Sequence, residues 1–464
     1  MTVTNSNRRE NGLPGWWDWL QRPIHIAPLI TFRILFGGMM LASIIRFWLN
    51  GWITELYVEP SFYFTYLGFE WVHPLGYTGM HLLFTIMAIS SLLILLGLFY
   101  RPAAVLFFLT FTYVELIDST NYLNHYYFVS LISFLLIWLP ANRYWALDVV
   151  FFPRIRREQV PLWTVGLIRL QLGMVYFFAG IAKLHPDWLL NAMPLRIWLP
   201  AKTHLPLIGP FLYEPWVAYF FSWFGAIYDL GIAFFLINRK TRPVAYFFVL
   251  AFHLATAVFF PGIGMFPYIM IVSSFIFFSS NFHAGIFKSL EPIFSPFITE
   301  ANFKVYSLRP ITQKFFLTVF SLYFILQVII PFRYLLYPGH LFWNEEGFRF
   351  SWRVMLMEKS GIAYFYIKEP ATGKTYEINN REFLTPLQEK MMSTQPDMMI
   401  RYAHHLAAVY AGRGLKEPAV YAESYVSLNG ERSRLYLDST VNLAKQVVGW
   451  KHYTWVLPYI KTEQ

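Results

Sequence analysis

The sequence contains no cysteine and has little charge for its length. The absence of cysteine from all 464 residues excludes a disulfide framework, a thiolate nucleophile, an iron–sulfur cluster and a cysteine-ligated zinc site. Only 14% of the residues are charged, against about 25% in an average soluble domain. Complete P-loop, dinucleotide-binding, zinc-protease and serine-hydrolase motifs are also missing. An ordinary soluble enzyme is therefore excluded, and nucleotide chemistry is not expected.

Long apolar runs stand in place of the missing charge. Hydrophobic residues make up 56% of the chain, and the runs approach the length that a helix needs to cross a bilayer core about 30 Å thick. The net charge of +10 indicates attraction to anionic lipid headgroups, and no clustered basic arm suggests a nucleic-acid partner. We predict a membrane α-helical bundle of about nine transmembrane helices, at 26–49, 75–99, 103–117, 124–140, 162–182, 215–237, 243–260, 264–279 and 313–331.

Basic residues predict how the bundle is oriented. Alternate connecting segments hold fifteen Lys and Arg, whereas the opposite segments hold only Lys183, Arg196 and Lys202. Cytoplasmic loops carry the basic excess. The prediction is a multi-pass protein of the cell inner membrane, with a cytoplasmic N-terminus (1–25), a transmembrane region (26–333) and an extracytoplasmic C-terminus (334–464). Two long aromatic outer loops, 51–74 and 184–215, could roof a cavity.

The tail from Tyr334 onward has the composition of a soluble domain. Charge is spread throughout it, and short alternating stretches are typical of strands. We predict an outer mixed α+β soluble domain that follows the bundle. Its predicted elements are strands at 348–357, 362–367 and 375–378, a helix at 386–411, and a hairpin at Asn429–Gly430 between 422–428 and 434–437.

Ionisable residues inside or at the ends of spans are the candidate functional groups, since each is costly in lipid. Spacings of three and four put several polar residues on one helical face at the outer end of the third and fourth spans. This stripe is either a hydrogen-bonded turn that stabilises the bundle or part of a site. Its members are Glu115, Asp118, Asn121, Asn124 and His125.

Lys183 ends the fifth predicted span. Ala179, Gly180 and Ala182 allow a neighbouring helix to come close, which would bury the lysine amine. Burial disfavours the ammonium form, so the neutral amine could act as a general base. The alternative is a lysine that extends to the headgroups.

Three further ionisable residues lie within the spans. His253 is about 10 Å deep in the seventh, either as a cavity-lining donor or in an interhelical hydrogen bond. For Asp229 and Arg169 we predict a structural role, with a buried ion pair as an open possibility.

Four segments, in order along nearly the whole chain, resemble the vitamin K-dependent gamma-carboxylase family. They are Thr120–Leu131, Phe178–Trp188, Phe252–His253 with Ile263–Tyr268, and Gly347–Trp352. The family's asparagine–histidine pair falls on Asn124 and His125, its catalytic lysine on Lys183, and a histidine ahead of the Gly-Met-Phe segment on His253. Where animal members have two lysines in a row this chain has Ala182 and Lys183, and without cysteine it cannot form their disulfide.

The resemblance implies an enzyme that oxidises reduced vitamin K, a naphthohydroquinone, with dioxygen to the epoxide. The energy released makes a base that removes the γ-proton of a peptidyl glutamate, and carbon dioxide adds to the carbanion. Lys183 would deprotonate the hydroquinone, and His125 with Asn124 would orient or stabilise the oxygenated intermediate. His253 would contact substrate. The implied partners are the lipid bilayer and a glutamate-containing protein or peptide, and this chemistry needs no metal.

Two other functions remain open at this point. A naphthoquinol epoxidase without carboxylation would use the same Lys183. A membrane transporter would also place ionisable residues in its spans, but transporters usually show internal repeats and broken helices near the bilayer midplane.

Overall fold

The structure is a computed structural model that describes residues 15–294 and 305–460. Its larger part is a bundle of apolar helices, several of which carry proline in their first turn, where no backbone N–H is needed for the helix. Arg8, Arg9 and Lys304, which contribute to the basic asymmetry, lie outside the described residues. The bundle helices are α1 (Ala27–Leu49), α2 (Gly76–Leu96), α3 (Tyr100–Ile117), α4 (Asn124–Trp138), α5 (Leu162–Ala182), α6 (Pro215–Ile237), α7 (Arg242–Phe259), α8 (Phe266–Ser274), α9 (Ser280–Phe294) and α10 (Pro310–Phe332).

Seven helices within the described residues are long and apolar enough to cross a membrane, or up to eight if a bent pair counts as one span. The seven are α1, α2, α3, α5, α6, α7 and α10. The predicted fourth span is the 15-residue helix α4. The predicted eighth span is α8 with one following 3₁₀ turn to Phe277, after which the chain bends by 102° into α9. The count of nine spans thus remains a prediction.

The two ends of the bundle differ in what covers them. At one end, strand β1 (Pro23–His25) pairs antiparallel with β2 (Gln159–Pro161). Helix α5 begins directly after β2 and runs through the bundle to Lys183 at the other end. That second end contacts the C-terminal domain, and we call it the domain end. The N-terminal strand and the C-terminal domain therefore lie at opposite ends of the bundle.

The C-terminal domain is an antiparallel sheet covered on one face by helices. The strands are β3 (Lys359–Lys368), β4 (Thr375–Ile378), β5 (Ala419–Leu428) and β6 (Arg434–Leu435), in the order β4-β3-β5-β6. Helices α11 (Pro386–Met392) and α12 (Pro396–Gly412) pack on the sheet. Alternate residues such as Phe365, Ile367, Val420 and Val426 face these helices and are fully buried, which gives the domain its core.

Several predicted elements of the domain are present. The stretch 362–367 lies inside β3, 375–378 is β4, and the hairpin turn has Asn429 and Gly430 at φ of 51° and 77°, as such turns require. The predicted helix 386–411 is two helices. Gln395, the residue before Pro396, is extended, with φ of −118° and ψ of 112°. A residue that precedes proline disfavours the helical conformation, so the first helix does not continue through Pro396.

The predicted strand at 348–357 is wrong. This segment has no regular structure, and Phe350, Trp352 and Met355 have positive φ. Its alternating aromatic residues pack against the bundle and not into the sheet: the Trp352 ring stacks on Tyr127 of α4, with 5.0 Å between centroids. The alternation reflects burial, but the segment has no strand partner.

Side-chain hydrogen bonds fix the domain to the bundle. Gln388 of α11 donates to Oδ2 of Asp118 at 2.8 Å, just beyond the end of α3. Two further bonds reach the 184–215 loop: Asn429 donates to Asp187 at 3.1 Å, and Trp198 donates to Glu358 at 2.6 Å. Bundle and domain therefore meet at the end of the molecule where Lys183 lies.

Candidate active site

Close packing of α5 on α6 creates the centre of the site. A Cβ added at Gly180 would lie 2.7 Å from the backbone nitrogen of Leu230, so only glycine allows the two helices this distance. The approach places Asp229 of α6 beside Lys183, with Nζ and Oδ2 2.6 Å apart. Both side chains are 8% exposed. Lys183 is thus a buried, paired lysine and does not extend to the headgroups.

Further contacts hold the lysine in place. Its Nζ also donates to the carbonyl oxygen of Ala179 at 3.4 Å and lies 5.4 Å from the centroid of the Trp188 ring. The indole of Trp188 in turn donates to the carbonyl oxygen of Ser222 on α6 at 2.8 Å. The loop that follows Lys183 is therefore folded back over the amine and shields it from water.

The Lys183–Asp229 pair faces an apolar cavity, which encloses about 930 Å³, including open space at its mouth. Helices α5 to α8 form its walls, the 184–215 loop covers it through Trp188, Leu195 and Trp198, and Val354 and Met355 of the domain complete it. The prediction that this loop roofs a cavity agrees with the structure. We call this space the apolar cavity. Few of its lining residues are polar: Tyr176, Lys183, Asp229, His253 and Thr256.

His253 lies in the wall of the same cavity and is 1% exposed. Its Nε2 is 3.2 Å from the hydroxyl of Tyr176, which is 3.0 Å from the hydroxyl of Ser274. Its Nδ1 is buried and has no hydrogen-bond partner. Both predicted possibilities for His253 therefore hold at once, because one ring nitrogen makes an interhelical hydrogen bond and the residue also lines the cavity.

His125 is not among the residues that line the apolar cavity. It is 5% exposed, and its Nε2 is buried without a partner. The ring centroid of His125 lies 6.1 Å from that of Phe266, and the ring centroid of His253 lies 5.5 Å from the same Phe266. Phe266 thus contacts both histidines, and the structure brings Lys183 and His253 together but leaves His125 apart.

Asn124 supports the domain segment that reaches the site. Its Nδ2 donates to the carbonyl oxygen of Arg353 at 2.9 Å, and its Oδ1 accepts from the Tyr122 hydroxyl at 3.0 Å. That hydroxyl also accepts from the backbone N–H of Phe350 at 2.8 Å. The side chain of Asn124 is therefore engaged in holding 350–353 at the end of α4.

The prediction of a structural role for Asp229 missed its contact with Lys183. Forty-six positions separate the two residues, so sequence spacing does not reveal the pair. The available signal was that an intramembrane carboxylate needs a basic partner. Arg169, by contrast, has the predicted structural role, because its guanidinium donates to the carbonyl oxygens of Ile276 and Phe278 at 3.0 Å each, where the chain bends between α8 and α9.

Metal ligands are not clustered in the part of the chain that the structure describes: no three His, Asp or Glu side chains are placed to hold an ion. The arrangement instead offers one buried amine, its carboxylate partner and one histidine nitrogen at the wall of an apolar space. Such a space suits an apolar molecule with one or two polar groups.

Two protein families match the chain. The family described as HTTM domain matches residues 21–282, more than half of the chain, and the family described as vitamin K-dependent gamma-carboxylase, lumenal domain, matches residues 312–462. Bundle and domain together define a multi-pass membrane protein of the carboxylase-like class. The chain belongs to the vitamin K-dependent gamma-carboxylase family. No solved structure matches it.

Proposed function

We propose that the protein is a membrane γ-glutamyl carboxylase. It couples the oxidation of a reduced naphthoquinone by dioxygen, which yields the epoxide, to the addition of carbon dioxide to a peptidyl glutamate. The observation that carries this proposal is the buried Lys183–Asp229 pair at the wall of an apolar cavity. The match to both parts of the carboxylase family supports it.

The residues of the apolar cavity fit a reduced naphthoquinone. Aromatic and aliphatic side chains cover most of its wall, and a mostly apolar wall with a few polar groups is usual for small-molecule sites. The amine of Lys183 and Nδ1 of His253 are polar groups that could meet hydroxyls on such a ring system. When bound, the hydroquinone supplies the oxidation chemistry.

Lys183 takes a proton from the bound hydroxyl at its Nζ. For this the amine must be neutral, so the proton of the Lys183–Asp229 pair must lie on Oδ2 of Asp229. An ammonium–carboxylate pair and an amine–carboxylic acid pair differ only in the position of one proton, and burial penalises the charged arrangement. The pair therefore acts as one unit that shares a proton between Nζ and Oδ2.

The other site residues assist this proton transfer. His253 contacts the substrate through its free Nδ1, and Tyr176 fixes the orientation of its ring. His125, beside Phe266, and Asn124, which holds the backbone of Arg353, would help to orient the naphthoquinone and dioxygen. The packed wall of the cavity excludes water, which strengthens each electrostatic contact inside it.

The proposed partners are the bilayer and a glutamate-containing protein or peptide. A lipid-soluble quinol enters the bundle from the membrane, and the peptide approaches from the domain end. In the proposed orientation this end lies outside the cytoplasm of a bacterial cell, with the N-terminus inside.

Product analysis of the purified, membrane-reconstituted protein tests the proposal. The reaction contains a reduced naphthoquinone, dioxygen, labelled bicarbonate and a glutamate-containing peptide. We expect quinone epoxide and labelled peptide, both lost in Lys183→Ala and both retained in Lys288→Ala, which removes an exposed lysine of α9. Epoxide without labelled peptide would leave only the epoxidase function, and the absence of both products would contradict the proposal.

A further inference from the structure

A second cavity lies on the other side of the wall that carries Lys183. It encloses about 870 Å³, again including open space, and is lined by Ala182, His185, Tyr334, His340, Glu346 and Arg353 among others. Its lining is much more polar than that of the apolar cavity. We call it the polar cavity.

The two cavities share a wall. Residues 181, 182, 184 and 185 line the polar cavity, whereas Lys183 between them lines the apolar cavity. Residues 353–355 of the domain are divided in the same way, because Arg353 lines the polar cavity whereas Val354 and Met355 line the apolar cavity. The last turn of α5 and residues 353–355 therefore separate an apolar compartment from a polar one, with the proposed base at the boundary.

Arg353 is a buried cation with no ion-pair partner among the described residues. It is 6% exposed, its guanidinium lies 4.3 Å from the centroid of the Tyr334 ring, and its Nε has no hydrogen-bond partner. The other arginine of this segment, Arg349, is paired with Asp397 at 2.6 Å. Burial lowers the pKa of Arg353 from its ordinary value, and only the Tyr334 side chain acts in the opposite direction.

The acidic group in the polar cavity is bound elsewhere. Oε2 of Glu346 lies 2.6 Å from Nδ1 of His452, and its Oε1 accepts from the backbone N–H of Tyr453 at 2.9 Å. A buried guanidinium without a carboxylate is costly. An anionic ligand would offset this cost, and a planar carboxylate matches the fork of an arginine best.

We propose that Arg353 binds the carboxylate of a substrate in the polar cavity, across the wall from the quinol. This assignment adds a substrate site to the proposed function. It rests on the proposed function for the role of the neighbouring cavity. A glutamyl side chain and bicarbonate both present this carboxylate chemistry. Asn124 is then a positioning residue for the carboxylate site, because it holds the backbone of Arg353 through the 2.9 Å hydrogen bond.

Equilibrium binding to the full-length protein in lipid nanodiscs, without quinol, tests this site. The probes are a fluorescent pentapeptide with one glutamate between apolar residues and its glutamine counterpart. Charge-assisted hydrogen bonds contribute enough for a preference of about 10- to 100-fold for the glutamate peptide. Arg353→Gln should bind both peptides equally, and Arg353→Lys should keep part of the preference. Arg381→Gln, which removes an exposed arginine of the domain, should bind as the wild type does.

A second arm identifies the source of the carboxylate. If bicarbonate is the ligand, it raises the thermal midpoint of the wild type but not of Arg353→Gln, and the two peptides bind alike. Removal of an unpaired buried charge should leave the protein at least as stable as before, so unfolding of Arg353→Gln would show a structural role and contradict the proposal. The proposal would also be contradicted if Arg353→Gln kept the preference for the glutamate peptide. It would be contradicted as well if the wild type showed neither a preference between the two peptides nor a response to bicarbonate. Because binding needs no turnover, these results are independent of whether the protein forms epoxide.

Discussion

Lys183 and Asp229 are each other's charge partner inside the bundle, so each should depend on the other for stability. Removal of one partner of a buried pair leaves an uncompensated charge, at a cost of about 3–5 kcal/mol. We therefore expect Lys183→Met and Asp229→Asn to lower the thermal midpoint strongly, and the double variant to lower it less than the sum of the two. Additive effects of the single substitutions would show that the two groups are not coupled.

His125 is buried with an unpartnered Nε2, so its role can be separated from that of packing. If it acts on the reaction, His125→Ala should lower the rate of epoxide formation by about 100-fold or more, the scale of a positioned polar or acid–base group. His404→Ala, which removes an exposed histidine of α12, serves as the control. A His125→Ala protein that fails to fold, together with a fully active His125→Gln, would show that the histidine only stabilises the helix turn.

At the residue scale, the sequence predicted which side chains belong to the candidate site better than it predicted the contacts between them. Lys183 and His253 were candidates because ionisable residues in spans are costly, and the small residues around Gly180 predicted the close helix that buries the amine. The partner of Lys183 is fixed by the rotation of α6 against α5, which no local pattern encodes. Arg353 was missed because it lies in a segment predicted to be a strand and in the charged tail, where one more arginine carries no signal.

Among the elements, α12 begins at a charge pair that should make the domain sensitive to acid. Asp397 in its first turn is 2.6 Å from Arg349. Burial alone would raise the pKa of Asp397, but the charge and hydrogen bond of Arg349, together with the charge of Arg401 and the backbone N–H of Met398, outweigh burial and hold the pKa below its ordinary value. The stabilisation is therefore complete above the unfolded pKa of about 3.9 and is lost as the pH falls through the lower, folded pKa.

Thermal unfolding as a function of pH measures this contribution. We expect Asp397→Asn to have a lower thermal midpoint than the wild type above about pH 4, and the difference to shrink in stronger acid. Glu389→Gln, which breaks the more exposed pair with Arg381, should show a smaller difference. A gap between wild type and Asp397→Asn that does not change with pH would contradict the role of the pair.

The type of a secondary-structure element could be predicted from the sequence wherever one physical cause dominates. Apolar runs predicted the bundle helices other than α9 to within a few residues, and turn chemistry predicted the hairpin at Asn429–Gly430. The errors arose where tertiary contacts decide: the segment 348–357 alternates because its aromatic residues enter the bundle, and the bend between α8 and α9 depends on Arg169 from another helix. Neither contact is visible in the local pattern.

For the whole molecule, the domain and the N-terminal strand lie at opposite ends of the bundle, which agrees with an odd number of crossings. Basic residues predict that the N-terminal end is cytoplasmic. A reporter that is active only outside the cytoplasm, fused after Gln464, should therefore be active, and the same reporter inserted after Arg157 should be inactive. An inactive C-terminal fusion would place the Lys183 end of the bundle inside the cell.

The most direct test of the proposed chemistry is the rate of epoxide formation by Lys183→Arg beside Lys183→Ala. Arginine keeps the positive charge and can still pair with Asp229, but its guanidinium does not release its proton at any working pH. If the lysine amine is the base, both variants form neither epoxide nor carboxylated peptide, although Lys183→Arg stays folded. Near-normal epoxide formation by Lys183→Arg would contradict the assignment of Lys183 as the base.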